Sequence, residues 1–326
     1  IAVTLIIVGR GTIDQTFFLN LLFYIIFTPV ISTTLSKVMF MSENKMLVAD
    51  SLQRIHSILD IKPLSNNENK VNIKDNSIEL KNVEFKYENS KSNAIDGISL
   101  KIKPNQTVAL VGPSGSGKST LANLISRFYD IDSGKILIGN VNVKDIEKKE
   151  LMNTISFVFQ NSKLLKTSIY ENVKMAKPEA TKVEVLHALH LAQCDDIIQK
   201  LPNGIDTIIG TKGVYLSGGE EQRINIARIM LKDSKVVILD EATAFADPEN
   251  EIQVQKAFEE LSKNKTVIMI AHRLSTIRNV DKIYVLNNGK IEEEGKHEEL
   301  LKKNGLYKEM WDNYQTSISW KVGENV

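Results

Sequence analysis

Residues 112–120 combine glycines, a lysine and hydroxyl side chains in an order that suits a chain of phosphate groups. The segment is Gly112-Pro113-Ser114-Gly115-Ser116-Gly117-Lys118-Ser119-Thr120. Glycines let backbone N–H groups turn toward an anion without a side-chain clash, and a helix that begins behind them adds its positive N-terminal end. Lys118 supplies a charge for the β- and γ-phosphates, and Ser119 offers a hydroxyl ligand to Mg²⁺. This segment, the P-loop, follows an apolar run and therefore predicts a nucleoside triphosphate site.

A carboxylate ends a second apolar run, Val236–Asp240, and Glu241 follows it directly. A carboxylate at the end of a buried strand is costly unless it meets a cation, and Mg²⁺ is the natural partner for Asp240. For Glu241, the alternative to a chemical role is a solvated charge at the end of a strand.

A second phosphate site is predicted at Leu216-Ser217-Gly218-Gly219-Glu220, here called the signature segment. It begins a predicted helix, so a hydroxyl and bare N–H groups lie at a helix N-terminus. The P-loop already provides one site for phosphates. Two such sites in one domain make sense if each serves a different ATP molecule.

Composition narrows the function without defining it. The chain has 326 residues, with 41 basic and 40 acidic side chains and a net charge of +1, so charge gives no support for nucleic-acid binding. The single cysteine, Cys194, excludes an intrachain disulfide and fits a reducing cytosol. We expect a buried thiol within a helix.

The first part of the chain is apolar enough to lie in a membrane. No residue from Gln15 to Ser36 carries a charge, and about 20 apolar residues span a bilayer as a helix. A buried helix of a soluble domain is the alternative. A signal peptide fits less well, because no basic stretch precedes the run. The run at 1–8 is too short to span, and the chain starts without methionine, so we expect a truncation within a preceding membrane helix.

Strands that alternate with helices predict an α/β fold with a mainly parallel sheet and helices on both faces. A small antiparallel sheet is expected from residues 78–103 and a helical subdomain from 160–217. The predicted domains are the end of a transmembrane domain (1–61, with the membrane helix at about 15–36 and a cytosolic extension), a polar linker (62–76), a nucleotide-binding domain (77–318) and a tail (319–326).

The P-loop, the signature segment, Val236–Asp240 with Glu241, and Ala271-His272-Arg273 occur in this order. Together they resemble the nucleotide-binding domain of an ABC transporter, a P-loop NTPase, and the preceding apolar helix resembles the exporter-fold branch. The resemblance covers residues 1–315. It implies ATP and Mg²⁺ as cofactors and ATP hydrolysis coupled to transport. It also implies a second half-transporter subunit, identical or related, in a head-to-tail dimer, membrane lipid around the helices, and a cytoplasmic nucleotide-binding domain at the cell membrane.

The resemblance also implies a role for individual residues. By this resemblance, Glu241 polarises the attacking water, which must lie in line with the bond that breaks in phosphoryl transfer. His272 contacts the γ-phosphate. Gln160 senses Mg²⁺ and the water, and Mg²⁺ is held by Ser119, Gln160 and Asp240. Tyr87 stacks its ring on adenine. The alternative role for this ring is packing within the small sheet. Asp247 is implied to lie in a loop at the dimer contact. The signature residues implied to close over the ATP of the partner subunit are Ser217, Gly218, Gly219 and Glu220.

Three positions depart from the family pattern. Glu220 replaces the commoner glutamine, and Thr211 stands where a glutamate is usual, in a loop that touches the membrane domain in exporters. The segment 242–250 and the C-terminal Trp320 resemble a bacterial subgroup linked to iron–siderophore transport. A soluble ABC ATPase of DNA repair, a regulatory ABC domain and a small-molecule kinase are the competing interpretations. The apolar run argues against a soluble ATPase of DNA repair. The presence of Glu241 and His272 argues against a regulatory domain, and the signature segment argues against a kinase.

Overall fold

The computed structural model describes residues 15–61, 63–67, 71–88, 90–159, 163–210, 214–240, 248–271 and 274–323. These residues form two compact units that divide between Pro63 and Leu64.

The first unit contains one long helix, α1, at Gln15–Leu59. Its 45 residues correspond to roughly 65–70 Å, twice the thickness of a bilayer core. Within the described part of the chain it is the one helix long and apolar enough to cross a membrane. Pro29 lies inside it and has no N–H to donate, and beside it the hydroxyl of Thr28 donates to the carbonyl of Tyr24 at 2.6 Å. The helix ends at Leu59, four residues before Pro63.

Among its described residues, the second unit has ten strands in two sheets. In chain order the strands are β1 (Ile78–Phe85), β2 (Ile95–Ile102), β3 (Thr107–Val111), β4 (Ser133–Ile138), β5 (Val141–Asn142), β6 (Ile155–Val158), β7 (Val236–Asp240), β8 (Thr266–Ile270), β9 (Lys282–Asn287) and β10 (Lys290–Gly295). The larger sheet has the order β10-β9-β3-β8-β7-β6 and is parallel except for β10. The smaller sheet, β2-β1-β4-β5, is antiparallel.

These sheets confirm the predicted α/β fold with a mainly parallel sheet and a smaller antiparallel one. Strands β3 and β7 read as continuous apolar runs because they lie in the middle of a sheet covered on both faces. The small sheet extends beyond the predicted residues 78–103, since β4 pairs with β1 and β5 pairs with β4. The two sheets share one apolar core with the helix behind the P-loop, as Leu110, Ile125 and Ile136 show.

Nine helices of the second unit are described. They are α2 (Lys118–Ile125), α3 (Lys148–Thr154), α4 (Ile169–Lys174), α5 (Lys182–Leu191), α6 (Asp195–Lys200), α7 (Gly218–Lys232), α8 (Pro248–Ser262), α9 (His297–Lys303) and α10 (Leu306–Gly323). Helices α4, α5 and α6 form the helical subdomain that we expected in this region, and α4 and α5 pack against α7. A capping box between Thr181 and Glu184 fixes the start of α5.

Cys194 is buried, as predicted, but it lies between α5 and α6 rather than within a helix. Gln193, directly before it, has a left-handed backbone with φ of 58° and ends the α5 turn. Burial raises the pKa of the Cys194 thiol to about 12, so the thiol stays protonated at neutral pH.

We expect the native protein to resist thiol reagents. The nucleophilic thiolate is absent at pH 7 to 8 and the sulfur is inaccessible, so modification by a disulfide reagent should be at least tenfold slower than in the unfolded chain. Because Cys194 is the only cysteine, one labelling time course with and without denaturant reports on it alone. Rapid stoichiometric labelling of the folded protein would contradict this packing.

Candidate functional site

The P-loop connects β3 to α2, and two of its glycines are required by close backbone approaches. Gly112 has φ of 148°, and a Cβ there would overlap the carbonyl oxygen of Leu286. Gly117 is the N-cap of α2 with φ of 102°, and a Cβ there would lie 2.7 Å from the carbonyl oxygen of Ala94. A side chain at either position would push the loop away from β9 or β2.

The ammonium group of Lys118 lies inside the loop. Its Nζ donates to the carbonyl oxygens of Gly112 and Pro113, both at 2.9 Å, and Lys118 is 6% exposed. A cavity of about 330 Å³ opens here, and it is lined by Tyr87, Ala94, Ser114, Gly115, Ser116, Gly117, Lys118, Ser119 and Thr120. The cavity therefore combines a helix N-terminus, a lysine and several serine and threonine hydroxyls, which fits a chain of phosphates.

Tyr87 packs against neighbouring aromatic rings and also lines the P-loop cavity, while its stacking on adenine stays a prediction. Its ring packs edge-on against Phe85, with 4.8 Å between centroids, and against Tyr129, with 5.5 Å. Its hydroxyl lies 3.1 Å from Oγ1 of Thr120, and the ring also lines the P-loop cavity. Packing in the small sheet thus holds an aromatic ring beside the phosphate-binding loop.

Parallel pairing brings the end of β7 close to the P-loop. Leu110 of β3 lies beside Ile270 of β8, and Ile270 lies beside Asp240 of β7. Asp240 is thus two strand spacings, about 10 Å, from the strand that enters the P-loop. On its other side, Leu239 pairs with Val158 of β6. Ligands of parallel α/β sheets bind at the carboxyl ends of the strands, and these ends meet here.

The residues present suit a magnesium ion. Mg²⁺ is usually bound through one or two carboxylates together with substrate phosphates, and it does not need a cage of protein ligands. Ser119 and Asp240 supply a hydroxyl and a carboxylate at the same edge of the sheet. No cluster of three or more histidine, cysteine or carboxylate side chains that could hold a metal ion occurs in the described ranges.

Four predicted site residues and one departure from the family pattern lie outside the described residues. They are Gln160, Thr211, Glu241, Asp247 and His272. Gln160, Glu241 and His272 follow the ends of β6, β7 and β8, which are neighbouring strands. Their roles remain predictions.

The signature segment begins α7, as predicted. Ser217 is the N-cap, and its Oγ accepts from the backbone N–H of Glu220 at 3.3 Å. The carboxylate of Glu220 in turn accepts from the backbone N–H of Ser217 at 2.8 Å. This is a capping box, which the spacing of Ser217 and Glu220 would have predicted and which we did not identify from the sequence.

Two features were not anticipated. Arg223 of α7 is 1% exposed and pairs with Asp196 of α6 at 2.7 Å. Burial opposes the charge of Asp196, but the hydrogen bonds and charge of Arg223 outweigh this effect, and the pKa of this carboxyl lies below its ordinary value.

Separately, a cavity of about 380 Å³ lies beside β6 and α7 and is lined by none of the predicted nucleotide-site residues.

Comparisons with known proteins agree with the motifs. Residues 95–244 match the family described as ABC transporter. The chain is 44% identical over 261 residues to the ATP-dependent lipid A-core flippase of Haemophilus influenzae (strain 86-028NP), over 79% of this chain and 44% of that protein. It is 41% identical over 287 residues to ABC transporter B family member 4 of Dictyostelium discoideum, over 87% of this chain and 37% of that protein.

A solved structure of a bacterial Atm1-family ABC exporter with ATP bound is also similar. The TM-score is 0.74 at 35% sequence identity, over 80% of this chain and 46% of that chain. The chain thus spans less than half the length of each of these relatives.

The capping box makes a prediction about stability. Glu220→Ala leaves the N–H of Ser217 without its acceptor and should cost about 1 kcal/mol, which corresponds to a fall of roughly 2–4 °C in the unfolding midpoint of a unit of this size. Glu220→Gln keeps an acceptor and should cost less. Glu221→Ala is the matched control, because it removes a charge from the same first turn but lies outside the box. A loss as large in Glu221→Ala as in Glu220→Ala, by calorimetry, would contradict the assignment.

Proposed function

This chain belongs to the ABC transporter family through its domain at residues 95–244, and on that premise we propose that it is part of a half-transporter driven by ATP hydrolysis. The observation that carries the proposal is the P-loop itself. A buried lysine, a glycine-capped helix and an aromatic ring surround one cavity, two strands away from a carboxylate at a strand end.

Each group in the proposed ATP site has a distinct task. Lys118 exchanges its carbonyl partners for the β- and γ-phosphates, and the N–H groups at the start of α2 hold the same oxygens. Tyr87 presents its ring to adenine. Ser119, Asp240 and Gln160 would hold Mg²⁺, which supplies positive charge beside the phosphates. Phosphoryl transfer then depends on positioning and electrostatics more than on covalent chemistry.

Glu241 and His272 complete the proposed reaction centre. Glu241 follows Asp240 without a gap, so the water-orienting carboxylate is attached to the strand that provides the metal ligand. His272 follows β8, which lies between the Asp240 strand and the strand that enters the P-loop. In this arrangement, water, γ-phosphate and metal meet at neighbouring strand ends.

The signature segment supports a head-to-tail dimer. Ser217 caps α7 through the oxygen of its hydroxyl, so its proton and the first N–H groups of α7 are available to an anion. The P-loop of the same chain already serves one ATP. We therefore assign Ser217, Gly218, Gly219 and Glu220 to the ATP of a second subunit and Asp247 to the dimer contact.

We assign α1 to a membrane. In the first unit its large apolar side chains, such as Phe18, Phe23 and Ile25, are more than half exposed, and lipid would cover them favourably. The nucleotide-binding domain would then lie on the cytoplasmic side of the cell membrane. The names of the relatives point to the exporter branch, and the siderophore resemblance stays a prediction. A soluble ABC ATPase is disfavoured, because it would not need this helix.

Two substitutions should separate nucleotide binding from turnover. Lys118→Ala removes the main counter-charge of the phosphates and should weaken ATP binding at least tenfold. Glu241→Gln spares the phosphate-binding groups but removes the water-orienting carboxylate, so binding should persist while turnover falls by two orders of magnitude or more. Fluorescent-nucleotide titration and phosphate release measure the two effects.

Lys103→Ala is the control for loss of a positive charge, because Lys103 is exposed and lies ahead of β3. Unchanged affinity in Lys118→Ala would remove the P-loop assignment. A near-normal rate in Glu241→Gln would show that another group orients the water.

A further inference from the structure

Tyr215, two residues before Ser217, has the most exposed aromatic ring in the described part of the chain. The residue is 78% exposed, more than Tyr24 at 68% or Phe18 at 62% in the helix that we assign to a membrane. A single exposed ring is common on protein surfaces and indicates nothing by itself. The meaning of Tyr215 comes from its position beside the signature segment.

The backbone on both sides of Tyr215 is held in place, so the ring has a defined direction. Val214 and Leu216 are partly buried and pack against the apolar core shared by α4, α5, α6 and α7. The N–H of Gly210 donates to the carbonyl oxygen of Val214 at 2.9 Å, and Ser217 caps α7. Because the neighbours of Tyr215 pack inward, its own ring is presented outward.

Tyr215 and Ser217 are exposed on the same side of this segment. Partly buried and exposed side chains alternate from 214 to 217, and the exposed ones are at 215 and 217. Two residues of extended chain separate their Cα atoms by about 6.5 Å. The ring therefore lies within the length of one ATP molecule from the hydroxyl that we assign to the phosphates of the partner's ATP.

The ATP of the same chain is not the ligand of this ring. Tyr215 is absent from the residues that line the P-loop cavity, and Tyr87 is the one aromatic ring among the described lining residues. A flat base has two faces, and a single ring covers one of them. In one subunit alone, the second face of an adenine stacked on Tyr87 would therefore stay in contact with water.

We propose that Tyr215 stacks on this second face of the adenine in the partner subunit's ATP. The base then lies between the Tyr215 ring of one subunit and the Tyr87 ring of the other. The inference rests on the proposed head-to-tail dimer and names the group that makes the closed dimer selective for an adenine nucleotide. Stacking of a base on an aromatic side chain changes affinity by roughly tenfold, so the second ring has a measurable effect.

The test compares ATP with UTP, whose single-ring base presents less area for stacking. The measured quantity is kcat/KM for nucleotide hydrolysis by the purified, detergent-solubilised protein. Tyr215→Ala should lower kcat/KM roughly tenfold for ATP and about threefold or less for UTP, so the preference for ATP narrows. Tyr215→Phe keeps the ring, and both values should stay within about twofold of the unmodified protein.

Val183→Ala is the matched control. It removes a side chain that is 75% exposed from α5, away from the signature segment, and should change neither value. The unfolding midpoint of Tyr215→Ala should also change little, because the ring that it removes is exposed. If Tyr215→Ala does not fold, Tyr215→Leu removes the ring, keeps an apolar side chain and makes the same comparison.

Mixed dimers show which ATP the ring contacts. When Lys118→Ala and Tyr215→Ala share one subunit, the remaining P-loop faces a signature segment without the ring, so ATP should be bound with a reduced preference over UTP. When the two changes are in different subunits, both fall in the same site. The other site should then bind ATP with the normal preference in a competition titration.

Equal losses for ATP and UTP in Tyr215→Ala would overturn the proposal and assign the ring to packing or to a contact with the membrane domain. An unchanged preference would overturn it as well. Both outcomes leave nucleotide binding that depends on Lys118 intact. Binding that does not depend on Lys118, or the reverse pattern in the mixed dimers, would instead count against the proposed function, so the two failures are distinguishable.

Discussion

The parallel pairing of β3 with β8, and of β8 with β7, is the constraint on which the rest of the nucleotide-binding unit depends. It brings the carboxyl ends of three strands to one edge of the sheet, where the P-loop, Asp240 and the segment after Ile270 begin. Parallel strands require long crossovers, and the helices in those crossovers cover both faces of the sheet. The chemistry is therefore placed by strand order, and the residues themselves are far apart in the sequence.

Close approach of neighbouring groups is the second requirement, and it explains why glycines occur in both phosphate-binding segments. Gly112 and Gly117 adopt left-handed or extended conformations next to carbonyl groups of β9 and of the segment before β2. Gly219 has ordinary helical geometry and is needed because Asn250 occupies the adjacent space. Glycine is thus required by backbone conformation in the P-loop and by side-chain packing in the signature segment. Both segments begin a helix, and the N-terminal end of a helix favours an anion.

The sequence predicts most of what is local and little of what is tertiary. The parallel strands of the large sheet and the start of α7 are recognisable because apolar runs and the serine–glycine pattern identify them within a few residues, whereas the antiparallel β10, with three glutamates, has no such run. The pairing of β4 and β5 with the small sheet was missed, because β4 pairs with a strand some 50 residues earlier. Cys194 was placed in a helix, although the chain turns there. The contacts of Arg223 were invisible for the same reason, since its partners Asp196 and Asn250 are each 27 residues away.

The central claim is that each ATP lies between the P-loop of one subunit and the signature segment of the other. It is tested most directly by counting the ATP retained by mixed dimers in a Glu241→Gln background, where one subunit carries Ser217→Arg and the other Lys118→Ala. Head-to-tail sites place both lesions in the same site, so the account predicts one ATP per dimer, and none when a single subunit carries both changes. The reverse result, no ATP in the mixed dimer and one when both changes share a subunit, would contradict it.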